Sequence, residues 1–358
     1  MRRSGGLAFS IVVVVALVAP PSIAAAQDAR ALTGTVVAVN KRDATVSLVD
    51  LATKAISITI PVGDGPHEAA VSPDGRWALV SNYGPGRVAG NTLSLIDISQ
   101  GTLEKTITLG AHRRPHGLAW LPDGKSVLVT AELDSALLLV DIARGAVTSV
   151  IPTGEAGAHL VVLTTDGARA YVTNVAASSV TMIDVAARRA VKSVPLPAGA
   201  EGIALRPDGS ELWVSSRTAN RITVLSADDL SVRATIESGD YPIRIRFTPD
   251  GKLALVTFAR SSELKAFDAA TRAEVSAIAM RVSKAAMHGA RSAEGYENKT
   301  VPLGLTVSAN GAWAVVANAG VDAVSVVSLA DYDITAVIFV GREPDGVAYS
   351  PVVRPPGE

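Results

Sequence analysis

The chain has 358 residues, 48% of them hydrophobic, and a formal net charge of −1 from 33 Lys and Arg against 34 Asp and Glu. So even a balance gives no bulk attraction to nucleic acid or to an anionic membrane surface. The chain contains no cysteine, which excludes disulfides, thiolate metal ligands, a cysteine nucleophile and lipid attachment through cysteine.

In chain order, the first expected element is an export signal. Arg2 and Arg3 form a positive n-region, Leu7 through Val18 is apolar, and Ala24-Ala25-Ala26 reads as a small-residue cleavage site. The apolar stretch falls short of the roughly 20 residues a membrane-spanning helix needs. The expected division is a cleaved signal peptide over residues 1–26 and one domain over residues 27–358, exported to the periplasm or the extracellular space. No later apolar run is long enough to span a bilayer.

From Thr35 onward the chain repeats. Turn dipeptides recur at Asp74-Gly75, Asp123-Gly124, Asp166-Gly167, Asp208-Gly209, Asp250-Gly251 and Asn310-Gly311. These pairs tolerate the positive φ of a tight hairpin. Short β-rich runs follow each glycine, at residues 79–82, 128–131, 171–174, 213–216, 255–258 and 315–318. A third strand ends near Asp97, Asp141, Asp184, Ser226, Asp268 and Ser328, and a fourth follows a polar turn. The four recurring Asp residues there are expected to cap turn amides. Trp77, Trp120, Trp213 and Trp313 are expected to pack between units.

Four short strands per period of about 42 residues read as propeller blades. Innermost strands are expected to open at His67, His116, His159, Glu201, Ile243, Leu303 and Asp345. The last of these meets Pro351 and has no following partners, whereas residues 35–40 align with the second strands of other units. The predicted fold is therefore all-β: a seven-bladed β-propeller of four-stranded blades, closed by a blade combining N- and C-terminal strands. Such closure pairs two edges that would otherwise invite aggregation. A β-sandwich explains neither the register nor the split repeat.

Tyr171-Val172-Thr173-Asn174, followed by Met182-Ile183-Asp184, resembles the repeat of the YVTN family, also called surface-layer-protein repeats. The resemblance covers essentially the whole mature chain and implies the propeller fold. Its functional implications are broad. Similar propellers include cell-surface and scaffold proteins and the histidine-rich copper domain of nitrous oxide reductases. Seven-bladed lyases and lactonases share the architecture at greater distance. Fold by itself does not decide function.

The chain holds five histidines, and His67, His116 and His159 share one register position, eight residues before Gly75, Gly124 and Gly167. Around the ring that position reads His67, His116, His159, Glu201, Ile243, Leu303, Asp345. Ligand-type residues thus fall on contiguous blades from Asp345 to Glu201, at the upper mouth of the channel. The inner strand of blade five carries Arg244 and Arg246, where the others carry small or apolar residues and one acid, Glu68. Loop insertions are confined to the same face, at residues 83–90, 111–114 and 281–299, the last carrying His288 and Tyr296. Elaborated loops on a rigid scaffold are where binding and catalysis concentrate.

Three uses of this arc follow. Neutral imidazoles of His67, His116 and His159 suit zinc, copper or iron, with Glu201 or Asp345 completing a shell and His112 as a further ligand. The ligand-binding set is His67, Glu68, His116, His159, Glu201, Arg244, Arg246 and Asp345. For catalysis, His116 or His159 would act as general base, with Arg244 or Arg246 stabilising negative charge. The plainer alternative is a wet channel mouth in which the arginines pair with Glu68, Glu201 or Asp345 as a structural ion network. The expected function is binding of a small ligand or metal ion in a binding or scaffold role. The alternatives are a metal-dependent lyase or hydrolase, lactonase-like, acting on an anionic substrate, and a surface interaction protein with an inert channel. A monomer is expected, with a small molecule or a protein as partner and no nucleic acid. Asn298-Lys299-Thr300 fits a glycosylation sequon.

Overall fold

The second strand of every repeat is buried on both faces: Thr35–Asn40 is buried throughout, and Trp77–Asn82, Tyr171-containing Arg169–Asn174 and Trp313–Asn318 are buried after their first residue. A strand with no solvent face must lie between two other layers, and its sequence then loses the alternation of a half-exposed strand. The outer strands behave oppositely, as in Ala55–Pro61 and Thr102–Thr108, which are mostly exposed. This gradient is that of blades stacked face to face around an axis. The computed structural model describes residue 1, residues 31–282 and residues 299–354. Its described residues form seven four-stranded antiparallel sheets.

Six sheets run in simple order outward from the axis. Their innermost strands are Pro66–Val71, Pro115–Trp120, Ala158–Leu163, Ala200–Leu205, Pro242–Phe247 and Pro302–Val307. In the seventh, Pro344–Ser350 pairs with Thr35–Asn40, which continues to Thr45–Asp50 and Ala55–Pro61. Val36 lies opposite Tyr349 and Val37 opposite Ala348. The predicted closure is thus observed. Inner strands contact one another around the ring, and the seventh touches the first.

Each blade interface holds its own apolar cluster. Between blades one and two, Leu79, Leu93 and Ile107 meet Val127, Val129 and Leu138. Between six and seven, Val315, Ala317 and Val324 meet Val36, Ala38 and Val49. The turn glycines hold positive φ as their chemistry requires, for example Gly75 at 78° and Gly251 at 68°. Asp97, Asp141, Asp184 and Asp268 accept hydrogen bonds from turn amides two or three residues on, as expected.

Leu32–Glu358 is one compact unit and Met1–Ala31 a second, of which only Met1 and Ala31 are described. The expected signal peptide and its cleavage site at Ala26 lie outside the described residues, as do His288, Tyr296 and Asn298. No helix among the described residues is long and apolar enough to cross a membrane.

Candidate functional site

Each inner strand opens one residue earlier than its sequence suggests, because a β-bulge follows its first residue. In blade one, Pro66 pairs with Asn82 but Ala69 pairs with Val80, so His67 and Glu68 together oppose Ser81. The same slip occurs in the other six blades. A bulge re-aims the side chains it carries, and here its first residue is His67, His116, His159, Glu201, Ile243, Leu303 or Asp345.

The bulge is anchored by the hydroxyl opposite it. Gly117 N donates to Thr130 Oγ1 at 2.8 Å, and Thr130 Oγ1 donates onward to the His159 carbonyl of the next blade at 2.6 Å. Leu160 N, Thr173 Oγ1 and the Glu201 carbonyl repeat this link, as do Gly202 N, Ser215 Oγ and the Ile243 carbonyl. In blades two to five, where Thr257 Oγ1 likewise reaches the Leu303 carbonyl, one hydroxyl therefore fixes two site residues relative to each other; Ala317 and Val39 stand at this place in blades six and seven. Glycine at the second bulge position lets neighbouring inner strands approach: a Cβ on Gly202 would lie 2.0 Å from the Ile243 carbonyl oxygen. Blades one, three and five carry Glu68, Leu160 and Arg244 there instead.

The Glu68 and Arg244 side chains meet across the channel, with Arg244 Nη2 donating to Glu68 Oε1. Arg244 Nη1 donates to Glu201 Oε1 at 3.0 Å, and Arg217 Nη1 lies 2.7 Å from Glu201 Oε2. His159 bridges two carboxylates, with Nε2 3.0 Å from Glu201 Oε1 and Nδ1 2.9 Å from Glu132 Oε2. Tyr83 donates to the other Glu132 oxygen at 2.8 Å. The rings of His116 and His159 lie 3.9 Å apart between centroids, those of His67 and His116 5.4 Å, and Tyr83 sits 4.3 Å from His67. Lys41 Nζ lies 3.5 Å from carboxylate oxygens of both Asp345 and Glu343.

Three equivalent histidines thereby acquire two charge states. Burial opposes a charged His159, but the Glu201 carboxylate and the bonds to Glu132 and Glu201 outweigh it and hold its pKa at about 9. Burial would raise Glu201, yet His159, Arg244 and Arg217 keep it well below the usual carboxylate range. His116 is pushed well below 6.5 by burial and then by the positive charge of its neighbours, His159 foremost. His67 is lowered by burial, which Asp345 only partly offsets. At neutral pH, His159 is a fixed cation while His67 and His116 are neutral. His67 Nδ1 lies 2.8 Å from the Gly65 carbonyl and must donate to it, so its lone pair is on Nε2.

The site surrounds a cavity of about 380 Å³. All seven first bulge residues line it, together with a second column that the sequence reading missed: Lys41, Tyr83, Glu132, Val175, Arg217, Ala259 and Ala319. Each directly follows the second strand of its blade. The register that exposed the histidines contains this column too, but no polar residue type recurs in it. An adjoining cavity of about 590 Å³ shares Lys41, His67, Tyr83 and Glu343.

A family model described as lactonase, 7-bladed beta-propeller, matches residues 33–274. The chain belongs to this lactonase family. Among solved structures it is similar to hydrazine synthase of Kuenenia stuttgartiensis, at 18% identity and a TM-score of 0.68, over 80% of this chain and 90% of that one. It is also similar to a functionally unknown protein from Desulfotomaculum acetoxidans DSM 771, at 14% identity and a TM-score of 0.70, over 89% and 99% of the two chains. Both likenesses show the fold alone. No curated protein matches the sequence.

In this lactonase-family propeller the expected arc from Asp345 to Glu201 does assemble, and Glu68 and Arg244 join it. Arg246 does not line the cavity; its Nη1 donates to the Ile245 carbonyl at 3.1 Å. His112 is also outside it, 3.8 Å from Asp134. Arg244 is held between Glu68 and Glu201, as the ion-network alternative anticipated. His159, a base candidate from sequence, is a cation with both nitrogens engaged. The same engagement works against a metal shell of His67, His116, His159 and Glu201, because a ligating imidazole must offer a lone pair. Among the described residues no three His, Asp or Glu side chains are arranged to hold an ion. The residues as placed do not fit zinc, copper or iron.

Proposed function

We propose that this protein hydrolyses a lactone, or a similar cyclic ester with an anionic or strongly polar group, at the upper mouth of its channel. Family membership supports the reaction class. The observation that carries the reading is the placement of His67, neutral with its lone pair on Nε2, in a cavity that also holds Lys41 and Arg217. As water oxygen bonds to the acyl carbon, His67 takes its proton and the carbonyl electrons move onto oxygen beside Lys41. Collapse breaks the ring C–O bond, and the departing alkoxide takes the proton back from His67, leaving a hydroxy acid. His159 is a positioning residue: its charge adds to burial in keeping its stacked neighbour His116 neutral.

Turnover of a panel of γ- and δ-lactones, followed by acid release in a pH-stat, tests the reading. Hydrolysis lost in His67→Gln is the expected result. No turnover of any lactone above the uncatalysed rate would end it. Ligand binding without turnover is the second reading, favoured by the mutual pairing of Glu68, Arg244, Glu201 and His159, which makes a preset polar surface.

We also propose that the repeats are of the YVTN type, supported by Thr173 as an interblade link and Asn174 Nδ2 bonding Ser179 and Thr181. Export to the periplasm or the extracellular space is proposed from the leader sequence. The mass of the mature chain checks it.

A further inference from the structure

The cavity has two unlike halves. Carboxylates, cations and imidazoles occupy blades seven, one, two and four, along with His159 and, on blade five, Arg244, which is turned to Glu68 and Glu201. Opposite them, Ile243, Ala259, Val301 and Ala319 form an apolar cluster with Tyr241 and Leu303 packed on it. This cluster joins blades five and six at the cavity and is separate from the seven clusters that fill the blade interfaces. It is an apolar wall facing the same space as the histidines.

Two of its members hold their place against backbone preference. The residue two before each first bulge residue adopts positive φ, and three blades use glycine there, Gly65, Gly157 and Gly199. Blades two and seven use Arg114 at 59° and Glu343 at 54°, and blades five and six use Tyr241 at 66° and Val301 at 50°. The left-handed region disfavours side chains, and a β-branched one most of all. Glycine fits this position elsewhere in the ring, so strand geometry does not demand Tyr or Val. Such strain gathers at ligand sites, where a side chain is kept for what it touches. Here both side chains line the cavity.

We infer that the substrate carries an apolar substituent, an alkyl chain or hydrocarbon ring, that lies against Tyr241, Ile243, Ala259, Val301, Leu303 and Ala319 while its polar end faces the histidine arc. The inference names the substrate class for the hydrolytic reading and rests on it for the reaction. A polyhydroxylated sugar lactone fits poorly, because the hydroxyls facing this wall would lose water and find few partners. Tyr241 and Val301 are then specificity-determining residues.

Two measurements test this. The first is kcat/KM for γ-lactones with n-alkyl substituents of increasing length, beside a polyhydroxylated γ-lactone. The second is the calorimetric Kd of the ring-opened hydroxyalkanoates, which needs no turnover. Each added methylene is expected to improve both by about fourfold until the cavity is filled. Tyr241→Gly and Leu303→Ala should flatten the series, losing about tenfold or more on the longest chain. Tyr241→Gly should do so without a fall in Tm, since it relieves a disfavoured φ. Turnover with no chain-length dependence, or a preference for the polyhydroxylated lactone, would overturn the inference and leave hydrolysis standing. Chain-length-dependent binding without turnover would support it and sink hydrolysis. Absence of both would overturn both, and an unchanged slope in the two variants would remove the wall as its cause.

Discussion

Arg244 of blade five donates a hydrogen bond across the channel to Glu68 of blade one, 176 positions earlier in the chain. With its second bond to Glu201, the guanidinium ties three blades together through side chains that are at most 9% exposed. No strand pairing joins those blades.

Removing the cation should therefore be expensive. Arg244→Met leaves Glu68 buried without its partner and takes one of three cations from Glu201, and a loss of about 3–5 kcal/mol is expected from urea unfolding. The double variant Glu68→Leu/Arg244→Met should recover part of that loss, since it also removes a stranded carboxylate. Additive losses would show that the two residues do not act as a pair.

Stability should fall as pH rises above neutrality. His159 has a folded pKa of about 9 against an ordinary value of 6.5. Its contribution is complete below about pH 6.5 and disappears as pH climbs through 9, a change of about 3 kcal/mol. Thermal or urea unfolding between pH 6 and 9.5 reads this out. His159→Gln should be less stable at pH 6 and nearly flat over the same interval. A wild-type curve without the decline would mean that the imidazolium does not hold its two carboxylates.

His67 should give the acid limb of activity. Its pKa is lowered by burial, so kcat/KM for a hydrolysed lactone should fall only below about pH 6.5. His67→Gln should lower kcat by about 10²–10⁴-fold, with a Tm close to wild type. An acid limb that persists in His67→Gln would assign the base elsewhere, His116 being the next neutral imidazole.

Metal should add nothing to this arrangement. Protein purified without a histidine tag should carry no stoichiometric zinc, copper or iron, and added zinc should leave Tm unchanged. Both ring nitrogens of His159 must leave Glu132 and Glu201 before it can ligate. A stoichiometric ion lost in His67→Ala would overturn this.

The second lining column shows where sequence reading stopped short. His67, His116 and His159 stood out because one rare residue type returns at one position. Lys41, Tyr83, Glu132 and Arg217 sit just as regularly, one residue past the second strands of their blades, but each is a different residue type, so no repeated side chain marks the column. Arg246 is the opposite case: its charge beside Arg244 makes it a candidate in the sequence, and the fold places it outside the cavity with its Nη1 on the Ile245 carbonyl.

The repeat period, the Asp-Gly turns and the split last blade set the architecture without any knowledge of contacts. Each follows from local backbone chemistry repeated along the chain. The same register placed His67, His116 and His159 side by side. What it could not assign was their charge. Ionisation depends on the field of every nearby group, and the groups that matter to His159 come from other blades: Glu132, Glu201 and, beyond them, Arg244. Only the closed ring brings them within 3 Å or so of one another, and so only the tertiary structure makes one histidine of the three a cation and leaves two as bases.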